Sequence, residues 1–76
     1  MKKTEFYSEL ESMLELEAGT VKGDEVLANL PGWDSVAVLS FIILADSKLG
    51  ESISAAALVR ALTVTDLVKL FPNKIA

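Results

Sequence analysis

One stretch of the chain, residues 32–50, decides the fold: GWDSVAVLSFIILADSKLG. Its apolar residues recur at helical spacing, and a glycine such as Gly50 is typical of the position just after a helix end. The stretch therefore predicts a helix over residues 35–49. One face is wholly apolar and is the expected core face: Val38, Phe41, Ile42, Ala45 and Leu49. A second face mixes apolar and small polar residues where a purely structural helix usually carries charge. Its members are Val36, Leu39, Ser40, Ile43, Asp46 and Ser47.

Upstream of this helix, the chain alternates between a helical pattern and a long connection. Residues 4–16 have the spacing of a helix, with Thr4 as the expected N-cap. Its expected apolar face consists of Phe6, Leu10, Met13 and Leu14, and the glutamates Glu5, Glu9, Glu11, Glu15 and Glu17 are expected to face solvent. Residues 18–34 contain turn signals, and we expect a helical turn at 24–28. We expect the connection to cross the core, because four of its apolar residues can pack there: Val21, Val26, Leu27 and Leu30.

Downstream, two capping signals predict two more helices. Ser54 can cap a short alanine-rich helix over residues 55–61. Thr63 and Asp66 resemble a capping box that opens a last helix, which Pro72 ends. The expected buried face of this helix is Val64, Leu67, Val68 and Phe71. The whole pattern predicts one all-α domain over residues 1–76, a small four-helix bundle of three longer helices and one short helix with a long first loop.

Composition excludes several classes of function. The chain has 7 Lys+Arg against 11 Asp+Glu, a net charge of −4, which argues against a nucleic-acid partner. Cysteine and histidine are absent, so thiolate nucleophiles, zinc clusters and histidine acid–base catalysts are excluded. Asp34 and Asp46 lie more than three helical turns apart and cannot form a paired-carboxylate site. We therefore expect no enzyme, no catalytic residue and no metal site.

The hydropathy pattern predicts no membrane span. The longest apolar run, residues 36–45, is well short of the roughly 20 residues that cross a bilayer. The N-terminus follows its two lysines with glutamates rather than with an apolar segment typical of a signal peptide. We expect a cytoplasmic protein.

Ser35 is the residue that suggests a function. It follows a turn at Gly32 and stands at the expected start of a helix. Free backbone N–H groups and the positive end of the helix dipole favour an anion there, such as a phosphodiester on the serine. From position alone, the more common explanation is that Ser35 or Asp34 is an ordinary N-cap, since both residue types are preferred there.

Gly32 and Asp34-Ser35-Val36 resemble the attachment motif of acyl carrier proteins, usually written Gly-x-Asp-Ser-Leu. Further similar segments follow in the family's order over nearly the whole chain. They are Leu14-Glu15-Leu16, Gly19, Gly23-Asp24, Leu27, Leu30-Pro31-Gly32-Trp33, Ile53-Ser54 and Thr63-Val64-Thr65-Asp66-Leu67. The acidic character of the chain also agrees with the family.

The resemblance implies a four-helix bundle in which a phosphopantetheinyl transferase attaches 4′-phosphopantetheine from coenzyme A to Ser35. It implies that Asp34 assists the metal-dependent reaction of that transferase. The thiol of the cofactor would carry acyl groups as thioesters from an acyl-loading ligase or acyltransferase to a downstream synthase or transferase. An acyl chain can shelter between helices two and three in this family. The alanines at 55, 56, 57 and 61 would leave room for one or merely permit close packing of the helices.

The chain departs from typical fatty-acid carriers on the second helix, which lacks their run of acids. Val36 also replaces the usual leucine. Partners should therefore contact mainly Val36, Leu39 and Ile43, beside Ser40, Asp46 and Ser47, with weak dependence on salt. This departure argues against service to general fatty-acid synthesis and favours a dedicated pathway, with lipid or polyketide biosynthesis as the expected area. The load would be a fatty acyl group, an amino acyl group or a polyketide intermediate. Trp33 is interpreted as filling the junction between the long loop and the bundle, with contact to substrate as the alternative.

Two other interpretations use the same apolar face. The chain would be an unmodified helical interaction module that binds a partner through Val36, Leu39 and Ile43, or a homodimer joined there. Three exposed apolar residues are fewer than a stable interface normally buries, so we expect a monomer.

Overall fold

Four α-helices make up the computed structural model, which describes all of residues 1–76. They are α1 (Lys3–Leu14), α2 (Ser35–Leu44), α3 (Ala55–Arg60) and α4 (Val64–Lys69), with a 3₁₀ turn at Leu27–Asn29 and a π-helical turn at Ala45–Leu49 that prolongs α2. The chain has no β-strand, and its radius of gyration is 11.0 Å. The all-α prediction is confirmed, and the dimensions are those of a small helical bundle. No helix has both the length and the apolar character needed to cross a membrane.

Helix α1 begins and ends earlier than its sequence pattern predicts. Lys2, not Thr4, is the N-cap, because the Glu5 carboxylate accepts the Lys2 N–H at 3.3 Å and so satisfies the first turn. Phe6 and Leu10 are fully buried as expected. Glu11 contradicts the expectation of a solvated acid, since it is buried and its carboxylate accepts the Val21 N–H at 2.8 Å. This hydrogen bond fastens the long connection to α1.

The connection between α1 and α2 lies across the core, but with a different local structure. Its helical turn is at Leu27–Asn29 instead of residues 24–28, because the Glu25 carboxylate holds the N–H groups of Lys22 (2.7 Å) and Gly23 (2.8 Å) in a separate turn. Val26 is extended and forms an isolated antiparallel bridge with Thr63. Its side chain is 44% exposed, so the prediction that Val26 is a core residue is wrong. Val21, Leu27 and Leu30 are buried as predicted.

Helix α2 supplies the centre of the core through Phe41. The Phe41 ring is fully buried and meets Phe6 edge-on, with 5.9 Å between the ring centroids. Ala45 and Leu49 are also buried, while Val38 and Ile42 are half-buried. Together α2 and its π-helical turn span the predicted residues 35–49, and Gly50 ends them in the left-handed conformation (φ 67°).

Helices α3 and α4 begin at the predicted caps. The Ser54 hydroxyl accepts the Ala57 N–H at 3.2 Å, and α3 ends at Arg60, one residue early. The Thr63 hydroxyl accepts the Asp66 N–H at 3.2 Å, while the Asp66 carboxylate accepts the Thr63 N–H at 3.1 Å. The predicted buried face of α4 is confirmed in full: Val64, Leu67, Val68 and Phe71.

Only two of the helices are long, whereas three were predicted. Helix α4 ends at Lys69 because the N–H groups of Leu70 and Phe71 bond to carbonyls three residues back, Leu67 and Val68, each at 3.1 Å. This pattern tightens the chain into a 3₁₀-like turn before Pro72 is reached. The α4 helix therefore has six residues, the same number as α3.

Two carboxylates make the stability of the fold dependent on pH. Hydrogen bonds from the N–H groups of Leu62 and Thr63 hold the pKa of Asp66 below its ordinary 3.8. Burial acts to raise the pKa of Glu25, but hydrogen bonds from the N–H groups of Gly23 and Lys22 outweigh it, and the net pKa lies below the ordinary 4.5. A depressed folded-state pKa contributes stability that is complete above the unfolded value and is lost as pH falls through the folded value.

We expect the free energy of unfolding to fall as pH is lowered from neutral through the ordinary carboxyl values of 4.5 and 3.8. Urea unfolding across this range should show a smaller loss in Asp66→Asn and in Glu25→Gln than in the wild type. Glu9→Gln, which removes a carboxylate that accepts no such backbone bonds, is the matched control and should keep the wild-type pH dependence. Equal losses in all four proteins would contradict the role of the two capping carboxylates.

Candidate functional site

Ser35 is the first residue of α2, and its neighbour performs the capping. Asp34 is the N-cap, and its Oδ1 accepts the Ala37 N–H at 2.9 Å. The interpretation of Ser35 as the cap is therefore wrong, and of the two candidate caps the structure selects Asp34. The Ser35 side chain is exposed at the start of the helix. A free primary hydroxyl thus stands where the helix dipole favours an anion.

The turn before α2 fixes where this hydroxyl lies. Gly32 has φ +84°, a left-handed conformation that glycine adopts without strain. The turn places Trp33 half-buried against the core, edge-on to Phe41 with 6.1 Å between ring centroids and 69° between ring planes. Trp33 thus packs at the junction between loop and helices, as its packing interpretation predicts. Because Trp33 immediately precedes Asp34, this packing fixes the chain just before α2.

Two apolar clefts lie on the α3 side of Ser35. The nearer one, the Ser35 cleft, has a volume of about 480 Å³ and is lined by Ser35, Val38, Leu39, Ala55 and Val59. The second one, the Trp33 cleft, has a volume of about 390 Å³ and only apolar lining residues: Val26, Leu27, Ala28, Trp33, Val38, Leu58, Val59, Ala61 and Leu62. Because Val38 and Val59 line both, the two clefts adjoin. The chain thus has a continuous apolar surface that begins at Ser35.

A third cleft, the α1–α2 cleft, lies beside Asp34 on another face of α2. It has a volume of about 330 Å³ between the end of α1 and the start of α2. Its lining combines apolar, acidic and small residues: Met13, Leu14, Glu15, Gly32, Asp34, Val36, Ala37 and Ser40. It brings together three of the predicted site residues, Asp34, Val36 and Ser40. No basic side chain lines it.

The second face of α2 is exposed as predicted. Val36, Leu39 and Ile43 are each more than 60% exposed, Asp46 and Ser47 are exposed, and Ser40 is half-buried. Ile43 and Asp46 line a further cleft with Ile42, Ser52 and Ile53, whereas Ser47 lines none of the clefts.

Sequence reasoning missed the apolar exposure of α3. Val59 is 75% exposed and Leu62, two residues beyond the helix end, is 69% exposed. The signal was present, because residues 55–62 contain three large apolar residues and a single charged one, so that a helix of this length could bury only part of them. The exposed apolar surface of α2 therefore continues onto α3.

No group of three or more Asp, Glu, His or Cys side chains is placed to hold a metal ion. Asp34 and Ser35 are the predicted cofactor-binding residues, and they stand side by side at the start of α2. No protein-family model matches the sequence, and no curated protein and no solved structure is significantly similar to it. The geometry around Ser35 therefore carries the functional argument.

The division of roles at the start of α2 is directly testable. Asp34→Ala should lower the free energy of unfolding by about 1 kcal/mol, because the Ala37 N–H loses its acceptor. Ser35→Ala should change it by less than about 0.5 kcal/mol, because the Ser35 hydroxyl has no capping role. Urea unfolding of the two variants beside the wild type measures both values. A larger loss in Ser35→Ala than in Asp34→Ala would show that the serine is the cap in solution.

Proposed function

We propose that this chain is an acyl carrier protein, with 4′-phosphopantetheine attached to Ser35 and with its four helices arranged as the bundle of that family. The observation that carries the proposal is the free, exposed Ser35 hydroxyl at the first position of α2, with Asp34 supplying the cap. A serine that stabilises the fold would be expected to cap the helix itself. Here that requirement is met by its neighbour, and the serine is left available for chemistry.

The start of α2 is also suited to the product of that chemistry. In the transfer, the Ser35 hydroxyl loses its proton and forms a bond to the phosphorus of the pantetheine arm, while the pyrophosphate bond of coenzyme A breaks and adenosine 3′,5′-bisphosphate leaves. The new phosphodiester keeps one negative charge beside the positive end of the helix dipole. The chain needs no general base of its own, because a separate phosphopantetheinyl transferase performs the reaction.

The residues present fit a carrier that shelters what it carries. The cofactor supplies a terminal thiol that holds an acyl group as a thioester, and this thiol is the only one on the molecule because the chain has no cysteine. The Ser35 cleft and the Trp33 cleft provide a continuous apolar surface beside the attachment point. Neither has a charged lining residue, so the surface favours a hydrocarbon chain over an aminoacyl group.

The partners of such a carrier would contact the exposed apolar face. Val36 is next to Ser35, and Leu39 and Ile43 continue the same face along α2. These partners would be an acyl-loading ligase or acyltransferase and a downstream synthase or transferase of a dedicated pathway. A second candidate function, an unmodified interaction module, is favoured by the same face and by its continuation through Val59 and Leu62.

The test is the intact mass of the purified protein after incubation with coenzyme A, magnesium and a phosphopantetheinyl transferase of broad specificity. We expect the wild type to gain one phosphopantetheine and one titratable thiol. Ser35→Ala should gain neither. Ser8→Ala is the matched control, because it removes another exposed serine hydroxyl, on α1 and outside the predicted partner face, and it should be modified like the wild type.

An unchanged mass of the wild type, under conditions that modify an authentic carrier, would overturn the proposal. Ser35 would then have no attachment role, and the interaction module would become the better account of the exposed face. A gain that persists in Ser35→Ala would place the modification on another residue and would equally contradict the assignment.

A further inference from the structure

The exposed apolar residues of α2 and of the α3 region join into one surface. Leu39 and Val59 both line the Ser35 cleft, and Val59 and Leu62 both line the Trp33 cleft. Val36 and Ile43 extend the surface along α2, at helical spacing from Leu39. All five side chains are more than 60% exposed, and we call the surface that they form the α2–α3 face. A single copy of the chain leaves this whole face in contact with water.

The area of the α2–α3 face is enough for a protein–protein interface. The expectation of a monomer rests on three apolar residues of α2, and the structure adds Val59 and Leu62 to them. With on the order of 100 Å² of apolar surface on each such side chain, the face presents about 500 Å². Interfaces are about 60% apolar, so this area corresponds to an interface of about 800 Å² per copy. A stable interface of standard size buries about that area on each partner.

We propose that the α2–α3 face is a dimer interface, in which it packs against the same face of a second copy of this chain. A two-fold axis brings one surface patch against itself, so the patch must be self-complementary. The α2–α3 face meets this condition, because α2 has no charged residue from Ser35 to Leu44 and like charges would not meet at its centre. Apolar side chains of one copy would instead be buried by those of the other.

Two residues of opposite charge stand at opposite ends of the α2–α3 face. Asp46 is exposed just beyond α2 and lines a cleft with Ile43. Arg60 is exposed at the end of α3, next to Val59, which lines the Ser35 cleft at the start of α2. The start of α2 and Asp46 are about 16 Å apart along the helix. If the two α2 helices pack antiparallel, the start of one lies against the end of the other, and Arg60 of each copy comes near Asp46 of the other.

A second copy would also complete the Ser35 cleft. Leu39 and Val59 line this cleft and are exposed, so its outer side is open in a single copy. The opposing copy would close it, and each Ser35 would then lie beside the interface. Under the proposed function the same face contacts partner enzymes, so the dimer and a partner complex would exclude each other. The dimer itself rests on the α2–α3 face and does not depend on the carrier function.

The test is sedimentation equilibrium of the purified chain over the micromolar to millimolar range. We expect the mass to rise with concentration from 8.2 kDa towards twice that value. Leu39→Glu should raise the dissociation constant of the dimer about thirtyfold or more, because it places a charge at the centre of the interface. Leu39 is mostly exposed, so this variant should keep the helical circular dichroism of the wild type. Ser8→Glu adds the same charge at an exposed position of α1 and is the matched control, with an unchanged dissociation constant.

A charge exchange tests the antiparallel arrangement. Asp46→Arg and Arg60→Asp each place like charges together at both ends of the interface, so each should raise the dissociation constant about tenfold. The double variant restores opposite charges in exchanged positions and should return the constant to within about twofold of the wild-type value. The effects of the single variants should shrink at high salt, because both positions are exposed.

A mass of 8.2 kDa at every concentration would overturn the inference and leave the face to a partner other than a second copy. A Leu39→Glu variant that associates as strongly as Ser8→Glu would equally contradict the use of this face. Single charge variants without effect, or a double variant that associates no better than they do, would contradict the antiparallel arrangement. The modification of Ser35 is decided separately, by the intact mass after incubation with coenzyme A and the transferase.

Discussion

The burial of Phe41 is the constraint on which the arrangement of the chain depends. Its ring meets Phe6 of α1, Trp33 of the turn before α2 and Phe71 beyond α4, with centroid distances between 5.9 and 6.1 Å. Aromatic pairs of this kind contribute roughly 0.5–1.5 kcal/mol each beyond the area they bury. Because Phe41 must face inward, the rotation of α2 about its axis is fixed. Leu39 and Ile43, two residues to either side and about 200° around the helix, are then necessarily exposed.

This fixed rotation also leaves large apolar residues of α2 at the surface. Only 17 of the 76 residues are buried, so the core is small and every large apolar residue left outside it reduces the stability that burial could provide. Six such residues are exposed, and five of them lie on α2 or in the α3 region. The concentration of exposed large apolar residues on α2 and in the α3 region is typical of a surface that contacts another molecule. The proposed carrier function gives that surface its use.

Local signals predicted the parts of the fold that local physics determines. The apolar period of residues 35–49 placed α2, and Ser54 and Thr63 placed the starts of α3 and α4, because a cap and the helix that follows it are neighbours in sequence. The errors lie where distant groups compete. Glu11 is buried by its bond to Val21, Val26 is held outward by its pairing with Thr63, and α4 ends where Leu70 and Phe71 form a tighter turn. The sequence also left Ser35 and Asp34 as alternative N-caps of α2. The hydrogen bond from the Ala37 N–H to Asp34 decides between them.

Under the proposed function, storage of the acyl chain and contact with partners would share one helix, α2. The Ser35 and Trp33 clefts have no charged lining residue and suit a hydrocarbon chain. Val36 and Ile43 line neither of these clefts and are exposed, so a partner could contact them while the clefts are filled. Leu39 takes part in both roles, because it lines the Ser35 cleft and is 61% exposed. A partner that covers Leu39 would therefore also contact the surface on which the acyl chain lies.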